Sequence, residues 1–259
     1  MDSKIYEKRF DKEVGVWNEH YQKQKLNSLI ELEVKRRTKF TLEFIKKIKK
    51  NNLKVLDIGC GSGNLLQKIK KLNTNIDITG IDISSEMVKT AQKNNNTKKI
   101  YQKNIEKESL NQKFDVITLM GVFPYFKNPK KTIKNIDNML KPEGYIIFTY
   151  NNKISLSYKI NRFFKNIAST SMGKHIIEFI RKYFLGRKNK LEKSTLTLRG
   201  YNIGEIRTLL KNYEIIKEEG LVYSPGLMGS LSVKTDKIWK KLLPKKSGYA
   251  NIVFMRKNE

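Results

Sequence analysis

The chain of 259 residues carries 53 Lys and Arg against 25 Asp and Glu, a formal charge of +28, and 39% of its residues are apolar. That apolar share excludes wholesale disorder, and no apolar run reaches the ~18 residues that cross a bilayer. One cysteine and two histidines exclude an internal disulfide and a Cys/His zinc cluster, and the charged N-terminus shows no signal peptide, so a cytoplasmic setting is expected.

Residues 1–52 read as a helical cap. Within residues 26–50, Ile30, Val34, Thr38, Thr41, Ile45 and Ile48 fall near one helical face, and Asn51 and Asn52 end the run. Residues 53–150 change rhythm. Short apolar strands are expected at residues 54–58, 76–82, 99–103, 114–119 and 145–150. Helices are expected at residues 65–72, 84–94 and 129–140, the last with Pro129 in its first turn. Lys141-Pro142-Glu143-Gly144 reads as a turn. Alternating strands and helices with short connections predict an α/β, doubly wound, mostly parallel sheet.

Residues 151–200 interrupt the alternation as a basic helical insertion, with twelve basic and two acidic side chains. Ile160, Phe163, Phe164 and Ile167 have helical spacing, as do Ile176, Ile177, Ile180, Tyr183 and Phe184, and Gly186 marks the second helix's end. Residues 201–259 complete a single domain with a helix at 203–210, a strand at 213–222, a short helix near 238–242 and a strand at 250–255.

The chemistry concentrates at Val55-Leu56-Asp57-Ile58-Gly59-Cys60-Gly61-Ser62-Gly63-Asn64-Leu65. A strand ends, glycines turn the chain where no Cβ blocks a ligand, and a helix opens with free N–H groups. A dinucleotide fingerprint needs its third glycine one place later, where Asn64 stands. Gly80-Ile81-Asp82-Ile83 then puts a carboxylate at the end of the second strand, where it can accept from two ribose hydroxyls.

With these two motifs, residues 54–150 resemble the class I S-adenosylmethionine-dependent methyltransferases. The resemblance implies a seven-stranded Rossmann-like sheet with an antiparallel last strand and S-adenosyl-L-methionine as cofactor. It implies that the loop Gly59, Cys60, Gly61, Gly63 holds the methionine part with Asp57 near its amino group. Asp82 then holds the ribose and Ile83 packs on the adenine. Asn104 and Ile105 stand where the family often has Asp and an apolar residue beside the adenine. Leu119 and Met120 line the methionine side, and Asp115 is structural.

Transfer is a direct displacement from a positive sulfur, so alignment matters most, and an amine acceptor needs no strong base. His20, Tyr125 and His175 are the candidate bases, and none carries a motif. Cys60, inside the glycine loop, is no nucleophile of the kind used on pyrimidines. No metal site is expected. The leading reading is methyl transfer to a small or lipid-like metabolite, in loose likeness to the enzymes of quinone and tetrapyrrole synthesis. The insertion then serves as packing, lid or a basic amphipathic surface on anionic lipid at the inner membrane face. The alternative is an RNA- or protein-modifying methyltransferase using that insertion. Scarce arginine and scattered lysine rank nucleic acid lowest, and the oligomeric state is not legible.

Overall fold

The computed structural model describes residues 3–22, 26–73, 75–167, 170, 175, 198–225 and 230–259. The N-terminal region forms three helices, α1 (Ser3–Lys12), α2 (Val14–Gln22) and α3 (Leu29–Lys47). A capping box sets the start of α3: Ser28 accepts from the Glu31 N–H at 3.3 Å while Glu31 accepts from the Ser28 N–H at 3.1 Å. The core follows as β1 (Lys54–Ile58), α4 (Asn64–Lys70), β2 (Asp77–Asp82), α5 (Ser85–Asn95), β3 (Ile100–Gln102), β4 (Phe114–Leu119), α6 (Pro129–Met139) and β5 (Leu140–Asn152). Then come α7 (Leu156–Ile167), β6 (Gly200–Tyr201), α8 (Ile203–Leu209), β7 (Tyr213–Val222), α9 (Ser230–Leu242) and β8 (Ala250–Lys257).

The strands form one sheet in the order β3-β2-β1-β4-β5-β8-β7, with two-residue β6 paired off this path to β5. Pairing is parallel from β3 to β5, and β8 runs antiparallel to both β5 and β7. Alternate residues bury on opposite faces. Leu56, Ile117, Phe148 and Val253 join one apolar cluster, while Val55, Val116, Ile147 and Ile252 join the other. Covering both faces is what a doubly wound sheet requires. The reversal of strand order between β1 and β4 leaves a crevice at their carboxyl ends, the usual ligand position in such sheets.

Three details differ from the sequence expectations. The expected turn at 141–144 is the irregular start of a longer β5; Glu143 takes φ +57°, and the register on β4 shifts between Phe114 and Val116. β6 was not expected. α9 begins at Ser230, eight residues before the expected short helix. The second apolar stripe of the insertion, from Ile176 to Phe184, and Gly186 lie outside the described residues. No helix among the described residues is long and apolar enough to cross a membrane.

Candidate active site

The crevice is a half-open cleft with about 1050 Å³ of empty space, open solvent included. Its floor is the turn after β1. Gly59, Gly61 and Gly63 have φ of +67°, +53° and +76°, which L side chains rarely adopt. The Gly59 and Cys60 N–H groups donate to the Ile81 carbonyl at 2.8 and 3.1 Å, tying the turn to β2. Among the described residues a Cβ on Gly61 would meet only Met87 Sδ at 3.9 Å, so that glycine faces open cleft. A Cβ on Gly63 would come within 2.3 Å of Asn95 Nδ2; Gly63 lies behind the loop, where it lets α4 and α5 approach.

Asp82 stands at the end of β2 and lines the cleft. Its Oδ2 accepts from the Gly61 N–H at 2.8 Å and its Oδ1 from the Ser84 N–H at 2.9 Å. Burial pushes the carboxyl above its ordinary range, opposed by those backbone donors. Each oxygen keeps a further acceptor position. Ile83, Asn104 and Ile105 line the adjoining wall. Asn104 Oδ1 accepts from the Glu106 N–H at 3.0 Å, which fixes the side chain in a turn.

Met120 lines the opposite wall, whereas Leu119 is fully buried in the core behind it. Asp57 is also buried behind the loop. Thr118 Oγ1 donates to its Oδ1 at 2.6 Å. Burial pushes the Asp57 carboxyl up to about 7, against the Thr118 bond and the charge of Arg37. Cys60 is buried, and burial with the nearby Asp82 and Asp57 charges pushes its thiol up, so it is an inert packing residue.

The three candidate bases separate. Tyr125 lines the cleft from a single 3-10 turn, Phe123–Tyr125. Its ring meets Tyr6 and Phe10 edge-on, with centroids 5.5 and 5.6 Å apart. Burial pushes its phenol up, which works against its acting as a base. His20 faces a different hollow between α2 and α3, with Nδ1 3.5 Å from Glu31 Oε1. His175 is exposed and is not part of the cleft lining.

The sequence reading expected a helical cap over residues 1–52 but named neither its lining residues nor one wall. Tyr6, Phe10, Trp17 and Tyr21 cover the cleft from α1 and α2. Asn18 of α2 accepts from Ser62 Oγ and, at 3.2 Å, from Asn64 Nδ2, while Asp11 of α1 accepts from Ser84 Oγ at 2.5 Å. Arg37 of α3 is buried and lines the cleft beside Gly121, where a Cβ would lie 2.6 Å from Arg37 Nη1. Nη1 is 3.3 Å from Glu33 Oε1 and Nη2 donates to the Tyr21 hydroxyl at 3.1 Å, but Nε is buried without a partner among the described residues. The cleft thus carries an acceptor pair at Asp82, a buried cation at Gly121 and an open glycine cradle between them. These groups fit a zwitterionic nucleoside: a diol for Asp82, a carboxylate for Arg37.

Residues 49–211 match the family model described as a methyltransferase domain, more than half of the chain. The chain belongs to the methyltransferase domain family. Within it, this is a class I protein whose cofactor is S-adenosylmethionine. It is 28% identical over 101 residues to the malonyl-[acyl-carrier protein] O-methyltransferase of Bacillus anthracis, 38% of each chain. It is 34% identical over 117 residues to the ubiquinone biosynthesis O-methyltransferase of Actinobacillus pleuropneumoniae, 41% of this chain and 49% of that one. The matched region thus spans less than half the length of both curated relatives. The fold resembles that of magnesium protoporphyrin IX methyltransferase from Synechocystis with bound SAH, at a TM-score of 0.65 and 14% identity over 99% of this chain and 100% of that one.

The position of Asp57 implies a pH dependence. Asp57 lies behind the loop, so it acts on a bound ligand as a charge through the loop, and an ammonium-bearing ligand such as S-adenosylhomocysteine is favoured by the ionised carboxylate over the acid. With the free group near 7, binding releases a proton, and affinity rises as pH rises through 7. Calorimetry should give a weaker Kd at pH 6 than at pH 8, and Asp57→Asn should flatten the profile. A flat profile in the parent protein rules out this role for Asp57.

Proposed function

We propose that the protein transfers the methyl group of S-adenosylmethionine to a small-molecule metabolite entering over Gly121–Tyr125 beneath the aromatic roof. The observation that carries this reading is the pairing, in one cleft, of the Asp82 carboxylate with the buried Arg37 cation whose Nε lacks a partner among the described residues. Asp82 orients the ribose, Ile83 and Ile105 flank the adenine, and Arg37 holds the carboxylate end. Bound there, the cofactor supplies a methyl group on a positive sulfur, which an aligned nucleophile displaces. Tyr6, Phe10, Trp17 and Tyr125 exclude water and keep the neutralising charge transfer in a low-dielectric pocket.

The lining also bears on the acceptor. Its two carboxylates are engaged with backbone: Asp82 as above, and Glu106 Oε1 with the Lys127 and Asn128 N–H groups at 2.8 and 3.0 Å. Burial works against Tyr125 acting as a base. These groups favour an acceptor atom that needs no strong base, above all a carboxylate oxygen. The O-methyltransferase activity named for both curated relatives agrees with an oxygen acceptor.

Extract incubated with methyl-labelled S-adenosylmethionine, with and without the protein, tests both parts. We expect a labelled low-molecular-weight product from which mild alkali releases the label as methanol, the behaviour of a methyl ester. Label retained in alkali would replace the carboxylate with a hydroxyl or amine. Label found only in RNA or protein would overturn the small-molecule reading.

A further inference from the structure

The face of α9 is built opposite to an ordinary surface helix. Its buried side carries Ser232 and Asp236, both fully buried. Leu231, Ile238 and Leu242 are exposed at 44%, 58% and 73%. These three stand at i, i+7 and i+11, so they form one stripe along the helix. Exposed Lys234, Lys237 and Lys241 run along one margin of that stripe, and Lys245 and Lys246 follow just beyond Pro244. Polar contacts hold the helix in this orientation. Asp236 accepts from Arg36 and from the Tyr223 and Ser224 N–H groups at 2.6 and 2.9 Å. With Asp236 so pinned inward, Leu231, Ile238 and Leu242 face out, while Val233 and Leu243 on the side of Asp236 are half-buried.

A second element repeats the composition on the same anchor. In α7, Ser157 donates to the Tyr223 carbonyl, so α7 and α9 attach to the two sides of one residue at the end of β7. Ile154, just before α7, and Leu156 and Phe163 within it are exposed at 57%, 46% and 61%, beside exposed Lys159 and Arg162.

We propose that α9, with α7 anchored on the same residue, docks on an anionic lipid surface. The charge is complementary to acidic headgroups, the aliphatic stripe reaches the acyl boundary, and the flanking lysine stems can lie along it with their ammonium groups among the phosphates. A bilayer is favoured over an acidic protein because the exposed apolar residues of α9 are all aliphatic and spread along one helix, with lysine supplying the charge; compact protein hot spots favour aromatic residues and arginine, which α9 does not expose. The proposal does not depend on the acceptor reading above, because the stripe lies outside the cleft lining.

A chain of charge +28 will adhere to acidic vesicles by charge alone, so the test holds charge constant. Flotation of the full chain is compared on phosphatidylcholine vesicles with and without about 30% phosphatidylglycerol. Parent protein is expected to bind the anionic vesicles only. The triple variant Leu231→Ser, Ile238→Ser, Leu242→Ser keeps every charge and should lose at least about tenfold in partitioning. Lys234→Gln, Lys237→Gln, Lys241→Gln should lose about as much. The same charge removed from the exposed lysines of α6, as Lys130→Gln, Lys131→Gln, Lys134→Gln, should change binding by less than about twofold. Unchanged melting temperatures show that the exposed substitutions leave the fold intact. Undiminished binding by the serine variant, an equal loss in the α6 control, or no vesicle binding by the parent overturns the proposal. In the last case, face-dependent retention on immobilised polyglutamate would point instead to an acidic protein partner.

Discussion

Gly61→Val should lower affinity for S-adenosylhomocysteine by at least about a hundredfold in a protein that still folds. Valine at φ +53° sits in the left-handed region, at a cost of roughly 1–2 kcal/mol, which for a chain of this size lowers Tm by roughly 2–8 °C. Among the described residues Met87 Sδ at 3.9 Å is the only contact of the added Cβ, so no described protein atom stands in the way. The two methyls instead fill the space between the glycine loop and Asp82 where the ligand's backbone-facing edge must lie. A hundredfold loss corresponds to ~2.7 kcal/mol, modest for placing two methyl groups against a rigid ligand. Gly63→Ala is the counterpart. Its Cβ would stand 2.3 Å from Asn95 Nδ2 and 3.1 Å from the Ala91 Cβ, so it should reduce stability first and affinity only through the displaced loop. Thermal melting and calorimetry on the pair separate the two effects. Parent-like affinity in Gly61→Val would mean that the cradle is not the ligand site.

The cofactor end of this site was legible in sequence because local rules govern it. A strand of consecutive apolar residues, an acid at its end and glycines before a helix leave few alternatives, and Gly59, Cys60, Gly61, Asp82, Ile83, Asn104, Ile105 and Met120 do line one cleft. Asp57, Gly63 and Leu119 lie one layer behind it. Strand-end motifs do not distinguish the layers, because a pleat turns successive side chains to opposite faces. The cap was expected, but its lining residues were illegible for a different reason. Tyr6 and Phe10 meet Tyr125 across more than a hundred residues, and no periodicity within α1 shows what it will cover. His20 drew attention as a titratable group near an aromatic, yet α2 turns it to Glu31 and away from the cleft. In α9 the orientation was not legible either: the helix buries Asp236 and exposes Leu242, and the partners that account for it, Arg36 and the Tyr223 and Ser224 N–H groups, are distant in sequence or outside the helix. Arg37 was hidden among the basic residues of α3. Its one signal is its place on the face shared by Val34, Thr38 and Thr41, all of them buried.

That placement makes Arg37→Met the most informative change at the other end of the cleft. The guanidinium stays charged: burial works against the cation, and Tyr21 and Glu33 beside it more than offset that. It is therefore a fixed positive group with one buried N–H to give, which an incoming carboxylate can accept. Removing one partner of a buried charge pair costs about 2–5 kcal/mol, so affinity for S-adenosylhomocysteine should fall at least about thirtyfold. A ligand without the amino-acid part supplies the control. 5′-Methylthioadenosine keeps the adenine, the ribose and a thioether but offers Arg37 nothing, and it should bind parent and variant within about twofold. The variant also leaves Glu33 without the cation that holds its carboxyl down against burial, so some stability is lost for reasons unrelated to the ligand. Combining Arg37→Met with Glu33→Gln removes that orphaned acid. The double variant should recover most of the lost Tm and none of the lost affinity. Equal weakening of both ligands would show that Arg37 shapes the cleft without touching the carboxylate, and recovery of affinity in the double variant would assign the whole effect to Glu33.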